Sequence, residues 1–158
     1  SVENYIKTNE IPDDENKDLI IQFSKIKFDG VLESEYQCYS EKDLLAGTID
    51  LKENIDVFTS NIYDIKTSKK IEKENKYNSF MLKPLEHLAN TNLQHFYLQT
   101  NLYRYILEQM GLWVEKIEIF HINYETNKID IYPVKFVTDE ITEMLKYYKL
   151  NQEIEDFI

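Results

Sequence analysis

The sequence contains little cysteine, glycine or proline, and it has no long apolar segment. Its 158 residues include a single cysteine, Cys38, which excludes an internal disulfide framework and suits a reducing compartment. Only three glycines and three prolines are present, so few loops are expected to be flexible. No apolar run approaches the roughly 18 residues that span a bilayer, and the opening SVENYIKTNE does not resemble a signal peptide. These absences predict a cytoplasmic protein without a membrane partner.

Positive charge is also scarce, since the chain has 18 lysines and arginines and 29 aspartates and glutamates, which gives a net charge of −11. Such a charge disfavours simple nucleic-acid binding, which usually requires a basic patch. The charge is unevenly placed, however, because the stretch KTSKKIEKENK at 66–76 carries five lysines and two glutamates. An acidic protein with this local basic strip can still contact a phosphate backbone there.

The residues that are abundant are those of a folded core. Hydrophobic residues make up 42% of the chain, with 12 tyrosines and 8 phenylalanines, and we predict one domain over 1–158. Apolar spacing and capping residues indicate helices, and runs of β-branched and aromatic residues indicate strands. The predicted order α-βββ-α-ββ-α is typical of an α/β fold with a central mixed sheet flanked by helices. The predicted elements are a helix at 15–28, strands at 31–40, 43–51 and 55–67, a helix at 90–111 with Asn90 or Thr91 as N-cap, strands at 113–123 and 128–136, and a helix from Thr138 towards Ile158.

Charged residues on two neighbouring strands form the candidate site. Asp64 and Lys66 stand two apart in NIYDIKTSKK, so on a strand they point to the same face. Asp50 lies in the preceding strand, in AGTIDL, behind Gly47, which lets the backbone turn or pack closely. Carboxylates on adjacent strands can bind a hard divalent cation, and a lysine beside them can orient or deprotonate a water. Phosphodiester hydrolysis needs these parts; the alternative is a surface ion pair and an unrelated aspartate.

Four stretches in this order resemble the RecB-like branch of the PD-(D/E)XK nucleases, in particular its phage and viral members. The resemblance covers roughly residues 31–136 and implies a restriction-endonuclease-like core. It also implies a Mg²⁺- or Mn²⁺-dependent enzyme that hydrolyses DNA. The stretches are AGTIDL, IYDIKTSKK, LKPLEHL and YLQTNLYRYILEQMG.

The resemblance also assigns roles to individual residues. It implies that Asp50 and Asp64 bind the metal together with the main-chain carbonyl of Ile65, and that Lys66 is catalytic. The Q-x-x-x-Y motif of the branch falls on Gln99 and Tyr103, which share one face of a helix and would point to the metal site or the DNA backbone.

Other residues are weaker candidates. Glu35 matches an acidic residue that supports such sites, although an exposed edge-strand glutamate explains it equally well. Lys69 and Lys70 are expected either to contact phosphates or to form a solvated loop pair. The family takes a further histidine ligand from an N-terminal helix, and SVENY resembles the stretch that follows it. We therefore expect the chain to start inside that motif, with Glu3 as a substitute ligand or a helix-surface residue.

The sequence thus predicts a metal-dependent deoxyribonuclease, an exonuclease rather than an endonuclease, that acts on single strands or duplex ends. Recombination, repair or replication is the expected process, with protein partners in a complex of that kind. The nucleic-acid compartment of an infected host is the alternative to a cytoplasmic location. The alternative function is a non-catalytic DNA-binding or scaffolding module on the same fold.

Overall fold

A five-stranded mixed sheet flanked by helices forms the centre of the fold, which confirms the predicted α/β class. The computed structural model describes residues 1–67, 79–88 and 90–157. In chain order, the elements are α1 (Val2–Thr8), α2 (Lys17–Ser24), β1 (Val31–Ser40), β2 (Leu45–Asn54), β3 (Thr59–Lys66), α3 (Asn92–Gln109), β4 (Trp113–Asn123), β5 (Lys128–Pro133) and α4 (Thr138–Phe157).

The strands lie side by side in the order in which they occur along the chain, β1-β2-β3-β4-β5. Three neighbouring pairs are antiparallel, namely β1 with β2, β2 with β3, and β4 with β5. β3 and β4 are parallel, because the connection between them contains α3 and returns the chain to the starting edge of the sheet. The carboxyl end of β3 is therefore aligned with the carboxyl end of β4, where Lys66 pairs with His121.

The N-terminal region contains two helices where the sequence predicted one. α1 begins after Ser1, whose hydroxyl accepts a hydrogen bond of 3.3 Å from the amide of Asn4. The predicted helix at 15–28 is shorter, because α2 ends at Ser24. Among the described residues, no helix is both long and apolar enough to cross a membrane.

α3 has the ends that the sequence predicted. The Thr91 hydroxyl accepts a hydrogen bond of 3.2 Å from the amide of Gln94, as an N-cap residue does. Gly111 follows the helix with a φ of 87°, a conformation that glycine adopts without a steric penalty.

The chain divides into two compact units. The first consists of the described residues of 1–70 and 103–134, and it contains the whole sheet, α1 and α2. The second consists of the described residues of 71–102 and 135–158, and it contains α4. The boundary falls within α3, between Leu102 and Tyr103. A single domain over 1–158 stays a prediction.

One face of the sheet packs against α1 and α2. Phe120 stacks on Tyr63 with ring centroids 5.1 Å apart, and it meets Phe23 of α2 edge to face at 6.0 Å. Ile65 packs against this same core. Since side chains alternate along β3, Asp64 and Lys66 point to the opposite face. The buried members of this core are Val2, Leu19, Ile20, Phe23, Leu51, Tyr63, Phe120 and Ile122.

A buried carboxylate ties β2 to β3 within this core. Glu53 is 1% exposed and accepts hydrogen bonds from the Asn61 amide at 2.8 Å and the Tyr63 hydroxyl at 2.7 Å. The backbone N–H of Gly30 donates a third, at 3.0 Å. Burial by itself would raise the pKa of Glu53, but these hydrogen bonds together lower it below its ordinary value. The network stabilises the pairing of the two strands that carry the candidate site.

Candidate functional site

Asp64 and Lys66 form a largely buried ion pair on β3. The Lys66 ammonium nitrogen lies 3.0 Å from Asp64 Oδ2, and the two side chains are 22% and 5% exposed. A solvated surface pair would leave both groups in water, so that alternative does not describe this pair. The Asp64 carboxylate is enclosed, while the lysine beside it still reaches solvent.

Asp50 joins this pair from the neighbouring strand. The last paired residues of β2 and β3 are Leu51 and Tyr63, so Asp50 lies one residue beyond the paired region. Beyond that point the Asp50 carboxylate accepts a hydrogen bond of 2.8 Å from the backbone N–H of Ile65. The structure therefore brings Asp50 to the backbone between Asp64 and Lys66.

The two carboxylates are close enough to affect each other's ionisation. The pKa of Asp64 is raised to about 6, mainly by burial; the Lys66 charge opposes the rise, and the negative charge of Asp50 and a hydrogen bond with it add to the rise. Asp64 Oδ2 is buried, and the Lys66 ammonium, 3.0 Å away, is the group that faces it. A second positive charge placed here would relieve the repulsion between the carboxylates.

This donor set fits a hard divalent cation of the magnesium type. Within residues 1–67, 79–88 and 90–157, no group of three or more histidines, cysteines, aspartates or glutamates is placed to hold a metal. Mg²⁺ commonly takes only one or two protein carboxylates, and waters and substrate phosphates complete its shell. Asp50 and Asp64 would supply the carboxylates. The Ile65 carbonyl is the predicted third ligand, and its role stays a prediction.

The other acidic candidates lie elsewhere. Glu35 is exposed on β1 in the left-handed region, with a φ of 53°, and its carboxylate pairs with the Lys7 ammonium at 2.7 Å. Glu3 lies half-buried in the first turn of α1. Neither belongs to a three-membered acidic group in the described part of the chain. The predicted phosphate contacts, Lys69 and Lys70, lie outside the described residues.

Both residues of the Q-x-x-x-Y motif lie on α3. The Tyr103 ring packs against β2 at Gly47, because a Cβ atom added there would come within 2.5 Å of Tyr103 Cε1. Of the two roles predicted for this glycine, a turn or close packing, the structure shows close packing, and Tyr103 contacts the strand that carries Asp50. Gln99 is exposed and belongs to the second unit. The functional roles of both residues stay predictions.

Sequence reasoning missed a histidine beside this site. His121 lies directly opposite Lys66 in the parallel pairing of β3 and β4 and is only 4% exposed. Alternation along β4 could have placed Ile117, Ile119 and His121 on one face. The sequence carries no signal for the register, however, and only the register places His121 next to Lys66.

A buried lysine on β2 was also missed. Lys52 is 4% exposed and lies on the same face of its strand as Asp50. Its ammonium lies 3.2 Å from the Glu33 carboxylate and 4.4 Å from the centre of the Tyr36 ring, and it also contacts the Asn54 side chain. These contacts tie β2 to β1, so Lys52 supports the strand that carries Asp50.

Comparisons with known proteins agree with this fold. No protein-family model matches the sequence, and no curated protein matches it. The fold is similar to that of a solved structure described as a candidate exonuclease from Eubacterium rectale, with a TM-score of 0.51 and 13% sequence identity. The similarity covers 88% of this chain and 50% of that chain, so this chain spans half the length of that protein. At this identity the comparison shows a shared fold.

Proposed function

We propose that this chain is a metal-dependent nuclease that hydrolyses DNA phosphodiester bonds, with the restriction-endonuclease-like core of the RecB-like PD-(D/E)XK branch. The observation that carries the proposal is the meeting of Asp50 and Asp64 from adjacent strands, with the Lys66 ammonium 3.0 Å from the enclosed Asp64 oxygen. The fold shared with a candidate exonuclease supports the same class.

Each residue of the site has a distinct task in this proposal. Asp50 and Asp64, with the Ile65 carbonyl, hold Mg²⁺ or Mn²⁺, which supplies positive charge to the phosphoryl oxygens and lowers the pKa of a water. Lys66 is partly exposed, so its ammonium can orient the attacking water or offset the negative charge that develops in the transition state. The hydrogen bond from the Ile65 amide keeps the Asp50 carboxylate in place.

The proposed substrate is DNA with a free end, either a single strand or the end of a duplex. The name of the Eubacterium rectale protein favours an exonuclease over an endonuclease. The basic strip at 66–76 begins at Lys66, the last residue of β3, and its lysines are proposed to contact the phosphate backbone. Recombination, repair or replication, with protein partners in such a complex, is the proposed setting.

A cleavage assay on linear and circular DNA, single-stranded and duplex, tests this function. With Mg²⁺ or Mn²⁺ we expect linear DNA to be shortened from its ends, and a chelator should stop the reaction. Asp50→Asn and Asp64→Asn should be inactive, whereas Glu41→Gln, an exposed residue of the turn before β2, should match the parent. Cleavage of circular DNA would show an endonuclease instead.

The alternative is a non-catalytic DNA-binding or scaffolding module on the same fold. Two observations favour it, namely the absence of a third acidic or histidine ligand among the described residues and the net charge of −11. A titration with Mn²⁺ separates the two functions, because a scaffold has no need for a divalent ion at Asp50 and Asp64. DNA binding without metal binding would establish the alternative.

A further inference from the structure

We propose that His121 is a positioning residue for the nuclease site, which keeps the Lys66 side chain beside Asp64. The inference rests on the proposed function and adds a residue to it. Lys66 and His121 are direct partners in the parallel pairing of β3 and β4. Neighbouring strands lie about 4.8 Å apart, and partners in register point to the same face of the sheet. The imidazole therefore flanks the lysine side chain.

The residues around His121 make a purely structural histidine an unexpected choice at this position. On its own face of β4, His121 follows the fully buried Ile119, and His121 itself is only 4% exposed. A polar ring in such surroundings costs free energy unless polar groups contact it. On this face, β4 places the apolar Ile119 next to Asp64 and the imidazole next to Lys66. The polar ring thus stands at the position that borders the lysine.

β5 supports the imidazole from its other side. Asp130 is the direct partner of His121 in the antiparallel pairing of β4 and β5. The ring of Tyr132 lies with its centroid 6.4 Å from that of His121, at an interplanar angle of 45°. The imidazole therefore lies between the positions of Lys66 on β3 and Asp130 on β5, near the Tyr132 ring. In this position it would restrict the conformers of the long Lys66 side chain and favour the one that reaches Asp64.

A double-mutant cycle tests whether His121 acts through Lys66. His121→Ala should lower kcat about fivefold, the scale of one lost polar contact, and should leave KM unchanged. In a Lys66→Ala background the same change should have no further effect on kcat. His121→Asn keeps a polar side chain that can form hydrogen bonds, so it should recover part of the loss. His95→Ala, a change at an exposed histidine of α3, is the matched control.

A second measurement needs no activity. Competitive labelling of the metal-free protein with acetic anhydride reports how accessible each lysine is. His121→Ala and His121→Asn should raise the labelling rate of Lys66 relative to Lys116, which pairs with Glu118 at 3.3 Å. Thermal melting shows whether each variant folds. If His121→Ala does not fold, the labelling rate of Lys66 in His121→Asn decides the result.

The outcomes separate this inference from the proposed function. Unchanged kcat and unchanged Lys66 labelling in a folded His121 variant would overturn the inference. So would an equal loss of kcat in the parent and Lys66→Ala backgrounds, because His121 would then act independently of the lysine. If the parent chain does not cleave DNA, the proposed function fails, and the labelling result alone decides whether His121 positions Lys66.

Discussion

The Asp50 carboxylate accepts a hydrogen bond of 2.8 Å from the backbone N–H of Ile65, the residue between Asp64 and Lys66. This single contact links two strands at the point where their ladder of paired residues has ended. It also brings two carboxylates into the same enclosed place, where burial and the Asp50 charge raise the pKa of Asp64. The relationship leads directly to predictions about metal binding and stability.

Removing either carboxylate should abolish divalent-ion binding. Asp50→Asn and Asp64→Asn each take a negative charge from a site with few protein ligands, and oxygen sites of this kind depend on ligand charge. Isothermal calorimetry with Mn²⁺ measures the effect. Glu41→Gln, which lies in a turn, should bind as the parent does. Parent-like Mn²⁺ affinity in both aspartate variants would refute the site.

Loss of the lysine should affect catalysis and leave metal binding intact. Lys66→Ala removes a positioned ammonium, and we expect cleavage to fall by roughly 100-fold or more, with Mn²⁺ affinity near the parent value. Lys116→Ala is the control, because Lys116 also lies on the sheet and pairs with a carboxylate. Cleavage by Lys66→Ala at the parent rate would leave the Asp64–Lys66 pair a purely structural one.

The pH dependence of stability should reveal that burial disfavours the ionised Asp64 carboxylate. Its pKa in the folded protein, about 6, lies above its ordinary value of 3.8, so the folded state binds this proton more tightly than the unfolded state. Ionisation therefore destabilises the fold as pH rises from about 4 to 6, and the effect is complete above pH 6. In metal-free buffer, Asp64→Asn should gain about 1–3 kcal/mol of unfolding free energy at pH 8, and the gain should disappear below pH 4.

Urea denaturation at pH 4 and pH 8 measures this difference. Adding Mg²⁺ at pH 8 should reverse the order, because a bound cation stabilises the parent and not Asp64→Asn. If the difference in unfolding free energy between Asp64→Asn and the parent is the same at both pH values, then burial does not disfavour the ionised carboxylate.

Gly47→Ala should destabilise the protein through Tyr103. A methyl group at this position would lie 2.5 Å from Tyr103 Cε1, and overpacking of this kind costs about 1–3 kcal/mol. Tyr103→Ala should relieve the clash, so the double variant should lose less stability than the sum of the single changes. Gly111→Ala, where nothing lies within 4 Å and φ is 87°, should show no such coupling to Tyr103. Melting temperatures of the three single variants and of the two double variants, in which Tyr103→Ala is combined with Gly47→Ala or Gly111→Ala, provide the comparison.

Gln99 and Tyr103 should matter more to function than to stability. Gln99 is exposed, and substitutions at such positions change stability by no more than about 0.5 kcal/mol, so Gln99→Ala should melt near the parent temperature. Its cleavage rate should nevertheless fall, and Tyr103→Phe should weaken single-strand binding if the hydroxyl contacts phosphate. Gln109→Ala is the control, an exposed glutamine on the same helix. Identical behaviour of Gln99→Ala and Gln109→Ala would remove the motif from the proposed function.

Local sequence determined most of the elements. The predicted strands at 31–40 and 113–123 agree with β1 and β4, since β propensity and alternation act over neighbouring residues. The predicted strand at 55–67 begins only at Thr59, because the Asp56 carboxylate accepts a hydrogen bond from the Phe58 amide in a turn. α1 was missed as an element in the predicted order, since a seven-residue helix depends on tertiary packing more than on propensity.

The sequence also determined that Asp64 and Lys66 share a face, because alternation along one strand is a local property. Only the tertiary structure decided what stands next to them. Strand pairing and register join residues far apart in the chain, as for Lys66 and His121, and a shift of one residue would turn the imidazole to the other face. Register depends on the packing of the whole sheet, for which one sequence carries no local signal.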